Sequence, residues 1–85
     1  MSVFIHLGGD VTVSTKHVIA ILDSRNAELE ATQEFLRDME RQGLVFTIDD
    51  KDRKSFVITD TCVYISPIST VTLKKRAELR TNIDD

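Results

Sequence analysis

The sequence predicts an α+β fold: one domain over residues 1–85, with a mainly antiparallel sheet and the order β-β-β-α-β-β-β-α. Three observations carry this prediction. Short runs rich in Val, Ile, Thr and Phe alternate in polarity, the apolar period lengthens to three or four residues at two places, and Gly, Asp or Pro separates the runs.

Val3 to Leu7 alternates, with Val3, Ile5 and Leu7 on one face and Phe4 and His6 on the other, so it is a strand. Gly8 and Gly9 suit the positive φ angles of a tight turn, which returns the chain through Val11 to Ser14. Five consecutive apolar residues, Val18 to Leu22, are too few for a helix and predict a strand covered on both faces, central in the sheet. From Asn26 to Gln42, Leu29, Thr32, Phe35, Leu36 and Met39 recur at helical spacing among charged residues. Ser24 or Asn26 suits its N-cap and Gly43 its left-handed stop.

Leu44 to Ile48 and Ser55 to Thr59 are strand-like, which makes Asp49 to Lys54, "DDKDRK", the tip of a hairpin. Cys62 to Ser66 is the sixth strand, ended by Pro67, whose missing N–H cannot join a ladder. "STVTLKKRAELRT" reads as a closing helix capped by Ser69 or Thr70, with Leu73, Ala77 and Val71 as its buried face. At 100° per residue, Lys74, Lys75 and Arg76 fan over about 200° of that helix and do not all face one ligand.

Composition narrows the function. A 41% hydrophobic and 29% charged chain with one proline is a folding composition. A core this small buries only roughly 60 to 65% of the unfolded surface, so self-association is a natural supplement. No apolar run approaches a membrane span, the start lacks a signal-peptide pattern, and the single Cys62 forms no internal disulfide, so the chain reads as cytoplasmic. The net charge of -3 gives no global attraction to nucleic acid, so any polyanion site must be local.

The residues offer no converging nucleophile, base and stabiliser, so the chain reads as non-enzymatic, with no cofactor and no small-molecule substrate. His6, His17 and Cys62 lack chelating spacing, which argues against a metal; His6 reads as a half-buried strand residue and Cys62 as core. Gly8-Gly9 is not followed by a helix start or a Lys-Ser/Thr pair and is a turn rather than a phosphate loop. Two cationic groups remain. Lys51, Arg53 and Lys54 project from the predicted tip, with Lys16 and His17 on the same edge, while Asp49, Asp50 and Asp52 cancel the tip's charge. Lys74, Lys75 and Arg76 form the second group.

"FIHLGGDVTVSTKHVIAILD", "SFVIT" and "YISPISTVTLKKRAEL" together resemble the RemA/RemB family of biofilm and matrix regulators from spore-forming bacteria, over nearly the whole chain. The resemblance implies a cytoplasmic regulator of matrix genes, nucleoid-associated if it binds DNA. In the RemA branch it further implies a ring-shaped homo-oligomer that binds double-stranded DNA through arginines on each copy. By position, His17 stands where that branch has an arginine, and Lys51 and Asp52 where it has an arginine pair, with Arg53 and Lys54 beside them. The aspartate and the histidine make a weaker cationic edge at neutral pH. The resemblance therefore implies two readings: phosphate contacts from Lys16, His17, Lys51, Arg53 and Lys54, with Lys74, Lys75 and Arg76 as a second group, or an oligomeric scaffold that does not bind DNA.

Overall fold

The computed structural model describes residues 3–25 and 30–83, with side chains to Ala77. Its order is β1 (Phe4–Gly8), β2 (Val11–Ser14), a 3-10 turn (Thr15–His17), β3 (Val18–Asp23), α1 (Glu30–Arg41), β4 (Val45–Thr47), β5 (Ser55–Thr59), β6 (Val63–Ser66) and α2 (Thr70–Ile83). This is the α+β order read from the sequence, with the antiparallel pairs β1–β2, β3–β5 and β5–β6 dominating.

The strands form two sheets, the β1–β2 hairpin and a four-stranded sheet ordered β3-β5-β6-β4. The alternation of each strand sorts its side chains into two layers. On one face, Ile5, Leu7 and Val13 of the hairpin pack with Val57 and with Leu73 of α2. On the other face, Phe56, Val63 and Ile65 receive Leu36 and Met39 of α1. The large sheet is therefore the middle layer, between α1 on one side and the hairpin with α2 on the other.

Local signals act as expected at the joints. Gly43 takes φ +73 after α1, and the N–H groups of Gly43 and Leu44 donate to the carbonyls of Glu40 and Met39, a Schellman stop. Ser69 caps α2, its Oγ accepting from the Thr72 N–H at 3.3 Å. The Asn26 cap and the Leu29 position fall outside the described residues. Cys62 is buried, its N–H donating to Thr59 Oγ1 at 3.0 Å in the β5–β6 turn. Ser66 is also buried, and its hydroxyl donates to the Leu7 carbonyl, fastening the hairpin to the sheet at 2.6 Å.

Gly8 sits where the hairpin meets the bend after β6. Its φ is +114, and a Cβ there would lie 3.0 Å from Pro67 Cγ and 3.1 Å from Pro67 Cδ. Gly8→Ala is expected to destabilise the fold by about 1–3 kcal/mol, combining backbone strain with that collision. Urea denaturation checks this; a loss under about 0.5 kcal/mol would show that the bend yields freely.

Four expectations change. Asp49 to Lys54 is not a hairpin tip, because β4 pairs in parallel with β6 rather than with β5. The chain must therefore cross the end of β6 to reach β5. The crossing is pinned: the Ile48 N–H donates to the Ile65 carbonyl, the Lys54 N–H to Ser66, and the Ser24 N–H to the Lys54 carbonyl. Second, β3 lies at an edge rather than in the centre. Its two-sided apolar character has another origin, since Val18 and Ile21 face the hairpin layer and Leu22 faces the α1 layer. Ile19, at a register shift, stands 68% exposed. Third, Val71 of α2 is exposed, so its buried stripe narrows to Leu73 and the half-buried Ala77. Fourth, His6 points to solvent and hydrogen-bonds the Gly9 carbonyl at 2.8 Å.

Candidate functional site

β3 and β5 run antiparallel, with Val18 opposite Thr59 and Asp23 opposite Ser55. This register decides where the cations sit. Lys16 and His17 precede β3, and so stand at the end of the ladder where β5 finishes. Lys51, Arg53 and Lys54 precede β5, and so stand at the end where β3 finishes. The six-residue strand between them, at about 3.3 Å per residue, keeps the two groups more than roughly 17 Å apart. The shared edge expected from the sequence is not formed within one copy, because antiparallel pairing places the starts of the two strands at opposite ends.

At the first end, His17 Nδ1 lies 3.0 Å from Asp60 Oδ2, and the Asp60 N–H donates to the His17 carbonyl at 3.0 Å. Both side chains are more than half exposed, so the pair is screened and contributes little to stability. Lys16 is exposed, and its ammonium makes no ion pair among the described residues.

At the second end the crossing loop is organised by its own aspartates. Asp49 Oδ1 accepts from the Lys51 N–H at 2.9 Å, which turns the chain and leaves Lys51 and Arg53 exposed. Lys54 Nζ lies 3.8 Å from Asp52 Oδ2. Beside Lys54 lies a cation that sequence reasoning missed. Arg25 and Lys54 line a shallow cavity of about 250 Å³ with Asp23, Ser24, Ser69 and Thr70. The only hint in the chain is that Arg25 follows Asp23 by two residues just where a strand should end.

Arg25 grips Asp23 with two hydrogen bonds, Nε to Oδ1 at 3.0 Å and Nη2 to Oδ2 at 2.7 Å, and its backbone N–H donates to Oδ1 as well. The guanidinium hydrogen bonds, helped by the backbone one, lower the Asp23 pKa from 3.8 to about 2 and raise that of Arg25. A lowered carboxylate pKa means that this pair supports the fold above about pH 4 and that the support fades as pH falls toward about 2. A carboxyl-carbon NMR titration is expected to place the Asp23 midpoint near 2, and Arg25→Ala to return it to the ordinary range. An ordinary midpoint in the parent would show that Arg25 is free.

Lys74, Lys75 and Arg76 are all exposed on α2. They do not act as one group, since Arg76 Nη1 donates to the His6 carbonyl at 2.8 Å and ties α2 to β1. Lys74 and Lys75 remain directed to solvent. No group of three or more His, Cys, Asp or Glu gathers among the described residues, where His17 turns to Asp60 and Cys62 to Thr59.

Two apolar surfaces complete the picture. On the β3 edge a groove of about 280 Å³ lies among Ile19, Ala20, Leu22, Phe35 and Ile58. On the β4 edge another, of about 360 Å³, lies among Val11, Phe46, Ile48 and Tyr64. Phe46, 48% exposed, meets Tyr64 with ring centroids 5.9 Å apart. No described helix is long and apolar enough to cross a membrane.

Residues 4–77 match the family described as RemA-like, extracellular matrix regulatory protein A-like. The chain is also 37% identical over 81 residues to extracellular matrix regulatory protein B of Bacillus subtilis (strain 168), an alignment covering 95% of this chain and 98% of that protein.

Proposed function

Because the chain belongs to the RemA-like family of extracellular matrix regulatory proteins, we propose that it is a non-enzymatic, cytoplasmic regulator of matrix genes that binds double-stranded DNA as a ring-shaped homo-oligomer. The observation that carries this reading is the pinned crossing loop, which holds Lys51, Arg53 and Lys54 exposed on one end of the sheet with Arg25 alongside. These are phosphate contacts, which position a duplex without reading its bases. Two or three such contacts on one acidic copy bind weakly and are lost at moderate salt. Repeating them around an oligomer raises avidity by factors on the order of 100 or more when several engage together.

A specific observation also favours the scaffold reading. Asp52 lies within ion-pair distance of Lys54, Asp23 occupies Arg25, and Asp60 occupies His17, so much of the cationic surface is already matched inside the protein. Mobility shift with duplexes of unrelated sequence separates the two. The regulator retards all of them at low salt. An oligomer that retards none at low salt is the scaffold, and the DNA reading falls.

A further inference from the structure

The crossing loop carries three aspartates among its cations, and they do not play the same part. Its ends are held on adjacent residues of β6, the Ile48 N–H donating to the Ile65 carbonyl at 3.0 Å and the Lys54 N–H to the Ser66 carbonyl at 2.9 Å. Those two bonds fix where the excursion starts and stops. Its internal shape is set by Asp49, whose Oδ1 accepts from the Lys51 N–H at 2.9 Å and whose carbonyl accepts from the Asp52 N–H at 3.4 Å. Asp52 instead faces a cation, with its Oδ2 3.8 Å from Lys54 Nζ. Asp50 is exposed, and its carboxylate makes neither a hydrogen bond nor an ion pair among the described residues.

A carboxylate that accepts from the N–H two residues on closes a tight turn, and it does so through an oxygen rather than through its net charge. That turn sets the direction in which Lys51 and Arg53 leave the backbone. Without it, the residues between the two pins sample many shapes, and ordering them on a polyanion costs free energy for each side chain immobilised. We infer that Asp49 is a positioning residue: its Oδ1 holds the loop in the shape that presents Lys51 and Arg53 to phosphates, so it supports binding although its charge opposes it. Asp50 and Asp52 only oppose. The inference rests on the DNA reading above. Coulomb's law alone gives the reverse sign for Asp49, since removing any of the three carboxylates makes the loop more positive.

The two effects separate when charge is held constant. Asp49→Asn, Asp49→Ser and Asp49→Ala all remove the same charge, but asparagine keeps an oxygen for the Lys51 N–H, serine offers a weaker one and alanine none. Affinity of the full chain for one labelled mixed-sequence duplex at low salt, read by fluorescence anisotropy, is expected to fall in the order Asn, Ser, Ala. Asp49→Asn should bind at least as tightly as the parent, and Asp49→Ala should be about tenfold or more weaker than Asp49→Asn when several copies engage. Asp50→Asn and Asp50→Ala, which alter no turn, should bind alike and above the parent. The Lys51 amide, followed by NMR, should exchange with solvent faster in Asp49→Ala than in Asp49→Asn, with the urea midpoints alike because the pins are backbone bonds. Equal affinities for Asp49→Asn and Asp49→Ala, equal exchange rates, or the same gap within the Asp50 pair would each overturn the role of Asp49 and leave the DNA reading standing. A parent that binds no duplex at low salt overturns the DNA reading itself, and the part of Asp49 in binding with it.

Discussion

Replacing Arg53 and Lys54 together by alanine is expected to lower duplex affinity by a factor on the order of 100 or more, because two lost phosphate contacts are multiplied over the copies engaged. The loss should be the same for unrelated sequences, since phosphates carry no base information. Both side chains are exposed, so stability should move by no more than about 0.5 kcal/mol. Fluorescence anisotropy with two duplexes of different sequence reads the effect. Parent-like binding by this variant would reduce the crossing loop to a connector and move attention to Lys74 and Lys75.

Ile19→Glu is expected to have the larger structural consequence. Ile19 is 68% exposed, so the isolated fold loses almost nothing when it becomes polar. Seated in an interface, the same carboxylate would be buried without a partner, which costs several kcal/mol at every boundary. Light scattering should therefore fall from a mass several times 9.6 kDa for the parent to one near 9.6 kDa for the variant. DNA affinity should fall with it, although no cation has been touched. A variant that keeps the parental mass would place the association surface elsewhere.

The elements were legible because each rests on local chemistry. Alternation in Val3 to Leu7, the helical recurrence of Leu36 and Met39, the stop at Gly43 and the cap at Ser69 are decided within a few residues. Strand partners are decided at long range, and there the reading changed. Three residues, Val45 to Thr47, look the same whether they enter a hairpin with β5 or a parallel pair with β6. The layer above them is equally non-local, since Leu36 and Met39 of α1 pack on Phe56, Val63 and Ile65. The same limit applies to the candidate site. That Lys16, Lys51, Arg53 and Lys54 are exposed cations followed from their type, but their separation followed only from the antiparallel register of β3 and β5. Arg25 was hidden because its neighbourhood with Lys54 depends on the Ser24 N–H reaching the Lys54 carbonyl across the ladder end.

The central claim is that an acidic chain binds DNA by presenting a small cationic edge many times over, and its most direct test is the salt dependence of duplex affinity. One copy offering Lys16, Lys51, Arg53 and Lys54 neutralises at most about four phosphates, which gives a slope of log affinity against log salt of about -3.6. Several copies engaged on one duplex predict a slope steeper than about -6, falling toward the single-copy value when assembly is broken by Ile19→Glu. A parent slope of about -3.6 or shallower, or one that Ile19→Glu leaves unchanged, would contradict the account.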